Sequence, residues 1–130
     1  MLPQLFLIFN HRLTAEQEAD ARASLGVGRF VELPLPLHQL WSNIPPEEPG
    51  LADVIGPVKE WLEAEAREDD YVLIQGDFGA THLMVLFTQE KGLIPVYSTT
   101  RREAAEERQD DGSVKLVHRF KHVRFRRYGR

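Results

Sequence analysis

Short apolar runs of strand length recur along this chain with helix-length segments between them, and no other feature of the sequence narrows its fold as much. Gln4–Phe9 (QLFLIF), Phe30–Leu33, Tyr71–Gln75 (YVLIQ) and Leu93–Tyr97 (LIPVY) read as strands. After the first, Thr14-Ala-Glu-Gln17 has the form of a capping box opening a helix that Gly26 can close. Leu51, Val54, Ile55, Val58, Trp61 and Leu62 fall at helical spacing, and Gly56-Pro57 among them predicts a kink or a restart. Ala80–Lys91 reads as an apolar helix ending at Gly92. The order is βαβαβαβ, which predicts a mostly parallel, Rossmann-like α/β sheet flanked by helices and joined by right-handed crossovers. Between Pro34 and Gly50 five prolines withhold backbone donors, so this stretch reads as a surface loop.

From Thr99 the rhythm changes. Two polar or alternating runs flank Asp110-Asp111-Gly112, whose Asp-Gly step favours a hairpin turn, so Val114–Tyr128 is expected to extend or edge the sheet as a C-terminal β-hairpin. Good helix formers in Glu103–Glu107 leave a helix over Arg102–Arg108 as the alternative. With 130 residues, 42% of them hydrophobic, the chain is expected to form a single domain over 1–130. No apolar stretch approaches a membrane span, and Met1–Phe9 lacks the basic flank and cleavage site of a signal peptide. Zero cysteines exclude disulfides, thiolate zinc sites and a cysteine nucleophile, and fit a cytoplasmic protein.

Charge is distributed unevenly. Nine basic and all 20 acidic side chains precede Lys115, a net −11, whereas the last 16 residues carry seven basic side chains and no acidic one. A basic end on an acidic body can meet a phosphate, or can balance the body's own charge.

In an open parallel sheet, ligands bind beyond the carboxyl ends of the strands. That rule selects Asn10-His11-Arg12, then Gly76-Asp77-Phe78-Gly79-Ala80-Thr81, and then Ser98-Thr99-Thr100-Arg101-Arg102. In the second cluster two glycines let the backbone turn closely and offer amides to an anion; alternatively Asp77 caps the helix and the glycines only make the turn. The Walker ending and the dinucleotide glycine pattern are both missing, so no nucleotide cofactor is expected. Asp77 suits a ribose hydroxyl or an adenine amino group better than a phosphate. His11, at a strand end between an amide and a guanidinium, is the first candidate for proton transfer, its alternative being a hydrogen-bonded loop histidine.

His118 and His122 are four apart but lack a third metal ligand, and no metal site is expected. His38 and His82 read as loop and helix-surface residues. Phe120–Tyr128 interleaves aromatic and basic side chains. As a regular strand it puts Lys121, Val123, Phe125 and Arg127 on one face and His122, Arg124, Arg126 and Tyr128 on the other. Either phosphates and stacked bases use it, or its cations protect an edge strand. Trp41 can plug the body with its loop folded back, and Ser42 and Asn43 beside it can face a ligand.

Taken together, LFLIFNHRLT (Leu5–Thr14), WSNIPP (Trp41–Pro46), YVLIQGDFGAT (Tyr71–Thr81), LIPVYSTTR (Leu93–Arg101) and FKHVRFRRY (Phe120–Tyr128) resemble the Csx-twenty family of type III CRISPR-associated accessory proteins. The resemblance implies a CARF-like (CRISPR-associated Rossmann fold) domain and a small ring nuclease that degrades cyclic oligoadenylate messengers as a homodimer, with neither duplex nucleic acid nor a membrane as partner. Cleavage by the ribose 2′-hydroxyl on its neighbouring phosphate needs alignment and proton transfer but no metal. In that scheme Asn10, Thr81 and Thr99 orient the substrate, Arg101 or Arg102 stabilises the phosphorus centre, His11 moves a proton, and Asp77 is the next candidate for chemistry. Arg12, Ser42, Asn43, Gly76, Phe78, Gly79, Thr100, Lys121, Arg124 and Arg126 complete the expected binding set. A sensor or sponge that binds the same messenger without cutting it is the alternative.

Overall fold

A computed structural model describes residues 1–130. Its elements are β1 (Gln4–Ile8), α1 (Ala15–Leu25), β2 (Arg29–Glu32), α2 (Leu35–Ser42), α3 (Gly56–Glu65), β3 (Tyr71–Ile74), α4 (Phe78–Glu90), β4 (Ile94–Arg108) and β5 (Val114–Arg127). One five-stranded sheet has the order β2-β1-β3-β4-β5, with the first four strands parallel and β5 antiparallel to β4. The mixed α/β arrangement is compatible with a Rossmann-like fold, and the strand order reverses between β1 and β3.

The strands are apolar on both faces because both faces are covered. On one side Phe6, Ile8, Val72 and Ile74 pack with Trp41, Ile55, Val58, Leu62 and Met84, contributed by α2, α3, α4 and the turn before α3. On the other, Leu5, Leu7, Leu73, Val96 and Phe125 pack with Ala21 of α1 and with Val27. The cover on that second side is thin, since Ala21 is the only fully buried residue of α1.

Local chemistry accounts for the element ends. Thr14 and Gln17 form the expected capping box, and Gly26 closes α1 in the left-handed region at φ 70°. Gly56-Pro57 starts α3 rather than kinking a longer helix. The segment read as a loop from Pro34 to Gly50 instead contains α2. Pro34 is its N-cap and Pro36 lies in its first turn, where the missing N–H costs nothing, and Trp41 is buried to 2% exposure. At the amino end of the sheet, buried Asp70 accepts from Gln4 N and Arg67 N, both at 2.9 Å, which closes that edge.

The hairpin forms with Gly112 at φ 85° in its turn, and Arg102–Arg108 is strand rather than helix. The pairing of β4 with β5 is broken once: Thr99 opposes Arg124, yet Thr100 opposes His122, leaving Val123 as an extra residue. This bulge overturns the simple alternation expected of Phe120–Tyr128. His122 and Phe125 share a face, their ring centroids 4.6 Å apart, because the inserted residue advances the two-residue period by one. Tyr128 lies on the opposite side, where its hydroxyl donates to Ile74 O at 2.5 Å; burial and the neighbouring Tyr97 push its pKa up.

Candidate functional site at the carboxyl edge

The parallel register carries Phe9, Gln75 and Ser98 to the same level on neighbouring strands, since Ile8 pairs with Ile74 and Leu73 with Val96. The polar clusters that follow β1 and β3, and the one within β4, therefore meet along one edge. Asn10, His11 and Arg12 are exposed in the turn after β1. His11 and Arg12 line a cavity of about 310 Å³ with Glu32, Leu33, Leu35 and His38. His38, expected in a loop, thus sits on α2 and faces the same space as His11.

The turn after β3 has a clear structural logic. Asp77 caps α4 by accepting from Ala80 N at 3.0 Å. A Cβ on Gly76 would lie 2.7 Å from Trp41 Nε1, so this glycine makes room for the indole, which donates to Gln75 O at 2.9 Å. Phe78, the first residue of α4, is 95% exposed at the strand-order reversal, an aromatic face left open to solvent. Asp77 and Gly79 also border a second groove with Ile44, Pro45, Pro49 and His82. One turn into α4, Thr81 Oγ1 is buried without a hydrogen-bond partner. Asn43 ends α2 with its side-chain amide donating to Gln39 O, and Ser42 is exposed beside it.

Other expected ligand groups are already engaged or lie farther out. The Thr99 hydroxyl stitches the bulge, donating to Arg124 O at 3.0 Å and accepting from Arg124 N at 3.2 Å. Arg126 donates to Tyr97 Oη at 2.9 Å and stacks over that ring. Thr100, Arg101, Arg102 and Lys121 are exposed on the ribbon beyond the sheet. Four residues past Ser98, Arg102 is about 13 Å along the strand at roughly 3.3 Å per residue.

Ser98 and His122, each singled out in the sequence for other reasons, are joined here with Asp20, which the sequence did not single out. Ser98 Oγ is 2.5 Å from His122 Nδ1, and His122 Nε2 is 2.6 Å from Asp20 Oδ2. Asp20 and His122 are 102 positions apart, and the bulge that turns His122 toward α1 has no local signature. The only available hint was the polarity of Ser98 at the end of an apolar strand.

No solved structure matches this chain. It is 50% identical over 127 residues to "Uncharacterized protein MJ1673" of Methanocaldococcus jannaschii, with 98% of each chain covered. A family model described as "Uncharacterized protein MJ1673 family" matches residues 3–126, and the chain belongs to that family.

Proposed function

We propose that this protein is a CARF-like ring nuclease that binds a cyclic oligoadenylate messenger of type III CRISPR defence and opens it without a metal. One observation carries the reading: His11 and Arg12 after β1, and Asp77 and exposed Phe78 after β3, follow the carboxyl ends of two adjacent strands, beside the reversal in strand order. This combination offers charge to a phosphodiester and an aromatic face to an adenine.

In the proposed reaction a ribose 2′-hydroxyl attacks its neighbouring phosphorus, the 5′-oxygen leaves, and a 2′,3′-cyclic phosphate results. Asn10 orients the ring, His11 transfers the proton, and the hydroxyls of Thr81 and Thr99, one buried and one engaged by Arg124, shape the edge from behind. Arg101 and Arg102, out on the ribbon, meet the phosphate only where a second copy brings its own ribbon to the edge. The reading includes a homodimer, because a two-fold assembly presents each site twice to a symmetric ring. Exposed Val114, Leu116 and Phe120 on the ribbon support a contact between copies.

The test is incubation of purified protein with cyclic oligoadenylates of several ring sizes, with and without chelator. Linear products bearing cyclic phosphate ends, formed equally in chelator, are expected. Tight binding without products transfers the protein to the sensor or sponge alternative, and absence of binding to every ring ends the proposal.

A further inference from the structure

The Ser98–His122–Asp20 chain is not used by the 2′-hydroxyl scheme, yet it is the most tightly organised polar group at the carboxyl edge. Burial opposes ionisation of Asp20. Hydrogen bonds from Ser24 and His122, with the positive charges of His122 and Arg124, outweigh it and hold the carboxyl below the usual aspartate range. An ionised carboxylate only accepts, so Nε2 carries a hydrogen toward Asp20. With that one ring hydrogen Nδ1 accepts from the Ser98 hydroxyl, and with a second, taken from Ser98, the ring becomes the cation that Asp20 stabilises.

The ring is fixed in that orientation. Both nitrogens are engaged, Phe125 packs against it, and the side chain is only 4% exposed. Ser98 is the outward member, partly exposed, with its backbone N donating to Gln75 Oε1 at 2.7 Å. Gln17 Nε2 lies 3.3 Å from Ser98 Oγ, and the same amide's Oε1 is pinned by Thr14 N at 2.9 Å. The capping box thus aims a fixed N–H donor at the serine, from the first turn of α1, whose dipole favours negative charge.

We propose that Ser98 is an activated nucleophile toward anionic phosphorus esters, with His122 as its general base and Asp20 as the residue that positions the ring. As the Oγ–phosphorus bond forms, the hydroxyl proton passes to His122 Nδ1. The ester's alcohol leaves with that proton, giving a phosphoserine ester. Water then attacks phosphorus, yields its proton to Nδ1, and Ser98 Oγ departs carrying it. Gln17 faces the charge that develops on the phosphoryl oxygens. This step needs no ribose hydroxyl and stands independently of the cyclic oligoadenylate reading.

A fluorophosphonate probe tests it directly on the full chain, forming the same Oγ–phosphorus bond with loss of fluoride. One adduct, mapped to Ser98 by peptide mass, is expected, with none in Ser98→Ala. Labelling should slow at least tenfold in His122→Ala and in Asp20→Asn. Because His122→Ala can disturb folding, a second measurement uses Ser98→Cys, which gives this cysteine-free chain a single thiol. Its thiolate should form at least one pH unit below the ordinary value of about 8.5, and Asp20→Asn should reverse that shift. Ser98 labelling no faster than in heat-denatured protein, or an ordinary thiol pKa unaffected by Asp20→Asn, overturns the proposal and leaves the chain as a staple between α1 and β5.

Discussion

β4 and β5 pass through two environments along their own lengths. Through Val96, β4 adds to the parallel sheet, and Val96 and Phe125 are buried against the α1 side. From Thr100 to Lys121 the same strands pair only with each other, and apart from Ala105, Gln109 and Val117 every side chain is exposed. In the sheet, register is set by burial, since a one-residue slip would turn each apolar set outward. The ribbon has no such penalty. Its register rests on the Gly112 turn and on opposite charges placed directly across, Glu103 from Arg119 and Glu107 from Lys115. The bulge at Val123 is the joint between these regimes, and it also delivers His122 to Ser98 and Asp20.

The contrast predicts a gradient of mutational cost. Phe6→Ala should be the most damaging change, because Phe6 is fully buried and meets Trp61 edge-on at 5.6 Å. A loss of about 3–5 kcal/mol is expected in denaturant unfolding. Gly76→Ala should follow at about 1–3 kcal/mol, since its new methyl must displace the indole of Trp41. If Gly76→Ala proves neutral, the turn after β3 is looser than the sheet it leaves.

Asp20→Asn probes the joint itself. At neutral pH the loss should be about 1.5–3 kcal/mol, the scale of a hydrogen bond to a charged group. The folded-state pKa of Asp20 lies below its ordinary 3.8, so the carboxylate's contribution is present above that value and disappears as pH falls through the lower folded value. Stability curves of the parent and Asp20→Asn should therefore converge in acid. A gap that stays constant below pH 3.8 would detach the effect from ionisation.

The same contrast explains what the sequence could disclose. The strands, the Thr14–Gln17 capping box and the Asp-Gly turn depend on neighbours a few positions apart, so their spacing is visible in the chain. Trp41 was recognisable as a plug, but its helix was hidden because prolines at a helix start resemble prolines in a loop. The sheet edge was legible through His11, Arg12 and Asp77, each just past an apolar run. The Ser98–His122–Asp20 chain was not, because it depends on a bulge and on packing across 102 positions.

The smallest expected effect is the most discriminating for the ribbon. Phe120 is 71% exposed and lies on the ribbon face that also carries His122, with Leu116 and Val114 at alternate positions. Since it buries little within its own chain, Phe120→Ser should change unfolding free energy by no more than about 0.5 kcal/mol under dilute conditions. A two-stranded ribbon gains little stability alone in water, whereas a second copy covering these three apolar side chains would remove their exposed area. Sedimentation at increasing concentration should then show weaker self-association for Phe120→Ser than for the parent. If the dilute variant instead loses as much stability as Phe6→Ala, the ribbon is packed on its own body, and the division between a buried sheet and a free ribbon fails.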